Sequence, residues 1–454
     1  MKQCIIALFS TFIVSFSTQS QSISQLINEV RLDSLSKKVN ELTGEVSTVV
    51  NGNTVTIINR QQANNDVAAD YIKQKFEALD NLTLTDQAFN TNGRNIIATQ
   101  LGKTNPDNIY IVCAHYDSVA DYCASDNASG TAAVLEIARI LSTQCTDNTI
   151  VYALWDEEEI GLRGANFYAN EAATNGDNIL GVLNIDMMGY DGNNDNDFDI
   201  DVRNIANSIA MKDDIISVLN TPEYGFTLDV NVVNPGTAAS DHSRFWSNGF
   251  SAVLVGEAWS NNDETPFYHT SADRIATLNL PYYHELTKLI FAYMSTKAGL
   301  VSVDNTVTES GASLMANQTG ATYQWIDCDT SLPIDGATNR SFTPNSAGNY
   351  SVVITSGSCT ETSACFFFET LSEPPFTEDE LKVFPNPVRD ELRIETSIDS
   401  LKTIRLFDVS GKLTLTKEST LKSIKLDTQM LSNGIYFLTV KTFNKSGTYK
   451  IVKE

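Results

Sequence analysis

Apolar residues gather in four runs of strand length: Asn108 to Ala114, Thr149 to Trp155, Ile179 to Ile185 and Ser251 to Val255. Runs this continuous read as strands buried on both faces. A further strand is predicted over Asn95 to Thr99, separated from the next run by a turn at Asn105-Pro106-Asp107. Between the strands the period lengthens to that of a helix. Ile23, Leu26, Ile27, Val30, Leu35, Val39 and Leu42 predict one amphipathic helix. Val67 to Leu79 predicts a second, and Ala132, Ala133, Val134, Ile137, Ala138 and Leu141 a third that starts near Asn127. Helical spacing returns over Gly161 to Ala169 and from Leu280 to Ala298. Strand and helix in alternation specify βαβ units, so the expected class is α/β, with a mostly parallel central sheet flanked by helices.

After Leu300 short β-branched and aromatic runs, cut by Gly, Pro, Asn and Ser, replace the helices. They predict two small all-β sandwich domains, over 301–371 and 381–454, joined by a linker at 372–380 that contains Ser372-Glu373-Pro374-Pro375. In the last domain Leu392/Ile394, Ile404/Leu406 and Tyr436/Leu438/Val440 alternate as half-buried strands do. No repeat of solenoid period is visible. At the other end, Met1-Lys2, the apolar stretch Ile5 to Phe16 and the small polar residues Ser17 to Ser20 read as a signal peptide, residues 1–20. That stretch is too short to span a bilayer, and nothing later is apolar enough to do so. The α/β domain then occupies 21–300, with 21–60 either packed on it or removed as a pro-segment.

Charge narrows the partners. Lys and Arg number 31 against 56 Asp and Glu, a net charge of −25, which opposes binding to nucleic acid or to an anionic membrane. It suits a soluble secreted protein and favours divalent cations. Cys4 would leave with the signal, placing the other six cysteines in an oxidising compartment. Cys113 reads as a buried apolar residue, Cys123 with Cys145 is one pairing, and Cys328, Cys359 and Cys365 leave one odd thiol whose identity the sequence does not fix.

The chemistry-bearing residues sit just past the strand runs. His115-Tyr116-Asp117, Ser125 to Gly130, Trp155 to Gly161, Asn184 to Gly189 and Tyr268-His269-Thr270 all carry polar metal-ligand types. Strand ends of an open α/β sheet are where a site is built. On extended backbone His115 and Asp117 point the same way, so Asp117 can orient the imidazole. Asp126 taken alone would serve as a helix cap. The adjacent carboxylates Asp156 to Glu159 would repel one another at a strand mouth without a cation, or form an exposed acidic run. Together with Asp186 and His269 they supply the imidazole–carboxylate mixture of catalytic zinc sites.

On these residues, 90–300 resembles the zinc aminopeptidase family that includes bacterial leucyl aminopeptidases and their secreted relatives. The matching motifs are His115-Tyr-Asp117-Ser118, Ser-Asp126-Asn127-Ala-Ser-Gly130, Glu158-Glu159-Ile-Gly161-Leu162-Arg-Gly164, Asp186-Met187 and Tyr268-His269-Thr270. The resemblance implies two Zn2+ ions bridged by Asp126, with His115 and Asp186 completing one site and Glu159 and His269 the other. It implies Glu158 as general base, Asp117 orienting His115, and Tyr268 helping to hold the tetrahedral intermediate. Ser240-Asp241-His242 also matches a recurrent family motif and reads as support or pocket wall. Contiguous residues without a nucleophile elbow do not make a Ser/His/Asp triad. Tyr224 to Phe226 and Trp246 are expected in the pocket wall.

Two departures matter. The family's glutaminyl cyclase branch uses one zinc and a Trp-containing insertion after the acidic pair, whereas Gly161-Leu162-Arg163-Gly164 follows here directly. Arg274 stands where Thr is usual, so the exit of the His269 loop is expected to differ. The expected function is a secreted aminopeptidase acting on peptides or proteins, as a monomer. The alternatives are a cyclase or other amide hydrolase on the same scaffold, or a non-catalytic peptide-binding adhesin.

Three further features stand outside that site. Asp191 to Asp199 alternates acidic and amide residues as a calcium loop does, but lacks Gly at the sixth position and Glu at the twelfth, so a solvated acidic loop is the plainer reading and Ca2+ the alternative. Residues 303–370 resemble a bacterial immunoglobulin-like module through Tyr323-Gln-Trp325 and Gly348-Asn-Tyr350-Ser-Val352, read as a spacer. The last segment resembles the type IX secretion sorting domain through Phe384-Pro385-Asn386-Pro387, Leu406 to Lys412 and Asn433 to Phe437. It implies the type IX machinery as partner and a secreted or cell-surface location.

Overall fold

The computed structural model describes residues 22–61, 64–301, 303–356, 359–369, 375–443 and 445–454. The signal peptide expected at 1–20 and the start of the linker, 372–374, lie outside the described residues. Two compact units emerge, one running to Val303 and taking in Ser356 and Cys359, the other built from the remaining described residues after Val303.

Eight strands form the sheet of the first unit: β1 Thr83–Ala88, β2 Arg94–Gln100, β3 Asn105–His115, β4 Asn148–Trp155, β5 Ile179–Ile185, β6 Asp197–Asp201, β7 Asp229–Val233 and β8 Ala252–Glu257. Their order is β1-β2-β4-β3-β5-β8-β6-β7. The four middle strands are parallel, as is the β6–β7 pair, while β1–β2, β2–β4 and β8–β6 are antiparallel. The fold is therefore α/β with a mixed sheet, parallel at its centre. Because β4, β3, β5 and β8 run the same way, their carboxyl ends share one edge. The chain leaves β3 toward β4 on one side and returns to β5 on the other, which opens a crevice above those ends.

Side chains alternate across the sheet. Val112 and Ala114 of β3 join a core with Ile72, Leu135, Leu286 and Ile290, while Ile111 and Cys113 face Trp155, Ala165, Ala169 and Phe245. The helices Asp66–Glu77, Gly130–Leu141 and Leu280–Ala298 thus cover one face and Arg163–Asn175 the other. The turn expected at Asn105 to Asp107 is absorbed into β3. Asn105 pairs with Asn148 and the register slips before Ile109, so the extra residues leave as an irregularity in the strand.

The N-terminal helix is in fact two, Ile23–Ile27 and Leu32–Leu42. The chain turns between them because the amide of Arg31 is drawn to Glu136 Oε1 at 3.1 Å. Leu35, Val39 and Leu42 are fully buried in the same core as the sheet. Among the described residues no helix is long and apolar enough to cross a membrane.

The second unit is all antiparallel β. Its first part has a three-stranded and a five-stranded sheet, with Trp325 buried and stacked on Phe342 at 5.3 Å. Cys328 and Cys365 are joined by a disulfide, while Cys113, Cys123, Cys145 and Cys359 are free thiols, so Cys123 and Cys145 are not paired. The last part has a three-stranded and a four-stranded sheet closing over Leu392, Ile394, Ile404, Leu406, Leu438 and Val440.

Candidate metal centre

The crevice collects the polar residues that follow the parallel strands. His115 ends β3, Asp156 to Glu159 follow β4, Asp186 follows β5, and His269 lies on the loop after β8. Asp126 sits at a non-helical kink within Ala124–Ser129, just ahead of the helix Gly130–Leu141. Asp126 divides its carboxylate: Oδ1 lies 3.3 Å from His115 Nε2, and Oδ2 lies 3.2 Å from His269 Nε2. Asp186 Oδ1 is 3.3 Å from the same His115 nitrogen, and Glu159 Oε2 is 3.2 Å from the same His269 nitrogen. Two donor triads therefore meet on one carboxylate.

These spacings fit zinc. A tetrahedral Zn2+ with ligands at about 2.0–2.2 Å sets neighbouring donors about 3.3–3.6 Å apart. The alternative, a network of buried ion pairs, fails on charge. Asp117, Asp126, Glu158, Glu159, Asp186 and Asp241 crowd around the imidazoles of His115 and His269, and Glu159 Oε1 and both Asp241 oxygens are buried with no hydrogen-bond partner. So much uncompensated negative charge calls for cations. The strain shows in the titration. Burial first, then Asp241 and Asp186 beside it, pushes Glu158 up to about 10, although His115 pulls the other way. Burial and then Asp126 raise Glu159 to about 8. Burial also pushes Asp126 up, but the two imidazoles outweigh it and hold that carboxyl well below its ordinary range.

The four consecutive acids separate into two pairs with different work. Asp156 accepts from the amide of Arg94 at 3.0 Å, and Glu157 accepts from Asn90 Nδ2 at 2.7 Å and pairs with Arg163 at 3.2 Å. Only Glu158 and Glu159 turn to the crevice. What turns them is Asp117, whose Oδ1 and Oδ2 accept the amides of Glu158 at 3.1 Å and Glu159 at 3.2 Å. Asp117 Oδ1 also stands 3.4 Å from His115 Nδ1. It therefore positions a histidine and the acidic pair at once.

Behind Asp186, Ser240 Oγ donates to Asp186 Oδ2 at 2.7 Å and accepts from Asn184 Nδ2 at 2.8 Å. His242 is buried against the carbonyl of Thr237, and burial lowers it to about 3, so it stays neutral. Tyr268 is half exposed and its ring stacks on His269 at 3.7 Å. It also lines a cavity of about 420 Å³ with Asp186, Met187, Leu254, Trp259 and Glu264. The expected pocket wall is different: Trp246 is buried, its Nε1 donating to the carbonyl of Ala252, and Tyr224 and Phe226 pack on the core. Their apolar character belongs to packing. The role expected of the pocket wall falls to Met187, Leu254 and Trp259.

Three groups carry the site although no motif marks them. Glu257, fully buried at the end of β8, accepts from Ser125 Oγ, from the amide of Tyr190 at 3.0 Å and from that of Thr265 at 2.8 Å. It ties together the segments that carry Asp126, Asp186 and His269. Asp273 accepts the amides of Ser125 and Asp126 at 2.9 to 3.0 Å. Arg60, also fully buried, gives its guanidinium to the carbonyls of Leu42, Tyr116, Tyr122 and Cys123, each at 2.8 Å. A charged residue closing an apolar run was the available signal for Glu257; Arg60 had none. Arg274 does redirect the loop exit, bonding both oxygens of Glu45 at 2.7 Å and lying over the ring of Tyr122.

The acidic loop also differs from expectation. Asp197 and Asp199 belong to β6, and Asp199 spends both oxygens on Ser260. Asp191 and Asp195 meet Asp263 of another loop instead.

Residues 95–294 match the profile described as peptidase family M28, and residues 382–454 match that of a secretion system C-terminal sorting domain. A probable zinc metalloprotease of Leptosphaeria maculans is 39% identical over 104 residues, 21% of this chain and 24% of its own length. A probable leucine aminopeptidase of Arthroderma otae is 29% identical over 218 residues, 45% of this chain and 57% of its own. The chain thus spans less than two thirds of either curated relative. The crystal structure of the Legionella pneumophila LapA aminopeptidase shares the fold with a TM-score of 0.53 at 19% identity, covering 61% of this chain and 74% of that one. A Macrostomum lignano glutaminyl cyclase shares it with a TM-score of 0.50 at 16% identity, over 65% and 98%.

Proposed function

We propose, from the match of residues 95–294 to the profile of peptidase family M28, that the protein is a secreted zinc aminopeptidase. In this reading His115, Asp126 and Asp186 would hold one Zn2+, and Asp126, Glu159 and His269 would hold a second. When bound, such a pair polarises the scissile carbonyl and makes a water molecule acidic enough to attack near neutral pH. The observation that carries the reading is Asp126, which offers one oxygen to each histidine.

The chain's own residues do the rest. Glu158 offers a carboxylate oxygen within 4.8 Å of the donor atoms of His115 and Asp186, yet among the described residues it makes no ion pair with His115, as Asp126 and Asp186 do. It takes the proton of the attacking water and delivers it to the leaving amine, a role suited to a buried carboxylate with raised proton affinity. Asp117 keeps Glu158 and Glu159 aimed at the crevice. The Tyr268 hydroxyl donates to the developing oxyanion. The acidic lining, with Glu264 and Asp186 beside the cavity, attracts a free α-ammonium and so favours cleavage at the N-terminus. In the second unit we read the first β module as an immunoglobulin-like spacer over 301–371. The sorting domain directs the chain to type IX secretion, leaving it secreted or attached to the cell surface, as a monomer.

Metal analysis with hydrolysis of an aminoacyl anilide tests this. The expected result is two zinc ions per chain, turnover that disappears with a chelator and returns with zinc, and a Glu158→Gln variant that keeps both ions while losing about 10²–10⁴-fold in kcat. One ion per chain, or release of a cyclic product from a glutaminyl substrate with no peptide cleavage, would overturn the proposal in favour of a cyclase. Zinc loss in the Glu158→Gln variant would exchange the roles of Glu158 and Glu159.

A further inference from the structure

The loops that carry Asp186 and His269 meet a second time, away from the metal centre. Asp191 and Asp195 on the first loop and Asp263 on the second bring carboxylate oxygens within 4.8 Å of one another. Acidic clusters are common on an acidic protein, so a second observation decides. Asp191 is only 4% exposed; its Oδ2 accepts from Asn279 Nδ2 at 3.0 Å, and its Oδ1 is buried without a hydrogen-bond partner. Among the described residues no Lys or Arg forms an ion pair with any of the three aspartates. An unpartnered buried carboxylate oxygen beside two more carboxylates lacks a counter-charge.

The neighbouring groups indicate which cation. The donors are all oxygen, with the carboxamide oxygens of Asn193 and Asn194 nearby and Asp195 open to solvent for waters. Among the described residues no imidazole or thiolate joins the group, which argues against a preference for zinc and favours a hard ion with a flexible coordination number. Asp263 is already drawn to the first loop, accepting the amide of Gly192 at 3.1 Å.

We propose that Asp191, Asp195 and Asp263 form a calcium site that clips the loop after β5 to the loop after β8. Asp191 lies five residues beyond Asp186, and Asp263 lies six residues before His269. If the zinc reading holds, the clip sets the separation of two segments that each carry a ligand of a different zinc. The calcium site itself does not depend on that reading.

The test is calorimetric titration of the zinc-loaded full chain with CaCl2, beside hydrogen exchange with and without calcium. We expect one Ca2+ per chain with Kd of about 10⁻⁴–10⁻³ M, typical of extracellular calcium modules. Asp195→Asn, at an exposed position and so safe for folding, should weaken binding at least tenfold, and Asp263→Asn should do the same. Calcium should slow exchange in 190–196 and 258–266 together. No binding by the wild type at 10-fold the upper Kd, or unchanged binding in Asp195→Asn, overturns the site. Binding that protects only the first loop overturns the clip. Zinc content, measured on the same samples, reports separately on the metal centre.

Discussion

Glu257 shows how one buried carboxylate can organise a site without touching it. Three donors from three segments favour its charged form and burial opposes it; the balance lifts it to about 8. Asp156, raised by burial to about 7, behaves likewise. An unfolded carboxylate ionises near pH 4. Above that, the unfolded chain has released these protons while the folded chain retains them, so stability is full below about pH 4 and is lost as pH rises toward 7 to 8. Glu257→Gln should therefore flatten the fall in unfolding free energy between pH 5.5 and 8, measured by denaturant titration at saturating zinc. It should also cost about 1–3 kcal/mol at pH 5.5, because the carboxamide cannot accept all three donors. A variant as pH-sensitive as the wild type would remove Glu257 from this role. That His115, Asp126, Glu159, Asp186 and His269 gather in one crevice was legible, because strand mouths and motif order mark them. Asp273 and Arg60 were not, since their partners are backbone groups that no sequence spacing reveals, and Glu257 offered only the sign of an acid closing an apolar run.

At the scale of elements, the N-terminal pair of helices packs into the core of the first unit. Glu136, buried on Gly130–Leu141, takes Lys38 Nζ at 2.8 Å, Ser34 Oγ at 2.7 Å and the Arg31 amide, and Lys38 and Arg139 lower its carboxyl to about 2 against the cost of burial. Leu35→Ala should then cost about 2–5 kcal/mol, read by urea unfolding of the purified protein. A loss under about 1 kcal/mol would mean that residues 22–44 come away as a pro-segment. The same element shows what hydrophobic period can and cannot tell. Apolar spacing found both helices but ran them together, because the break is set by Glu136, over a hundred residues away. Long buried runs such as β5 and the helix Leu280–Ala298 were placed to the residue. β6, with the sequence Asp-Phe-Asp-Ile-Asp, was missed, since its buried aspartates carry the polarity of a loop and are made tolerable by Ser260 and Thr237.

Across the whole molecule, the two units solve the problem of stability differently. The first buries a three-layer core around eight strands, and its described cysteines Cys113, Cys123, Cys145 and Cys359 are thiols. The second has small two-sheet modules with much less apolar interior, and one of them adds the Cys328–Cys365 bridge. Small domains with thin cores depend on such links. A bridge spanning 37 residues is worth about 3–4 kcal/mol in the loop-entropy account. In a scanning calorimeter the full chain should therefore unfold in more than one transition. A phosphine reductant should lower the one belonging to the bridged module by several degrees, while the transition tracked by loss of aminoacyl-anilide hydrolysis stays in place. That pattern would fit the proposed secreted aminopeptidase, with the second unit yielding while the first keeps its fold. Reduction that moved the activity-linked transition as well would mean that Cys123 or Cys145 is covalently paired, and the first unit would no longer be a fold held by its core alone.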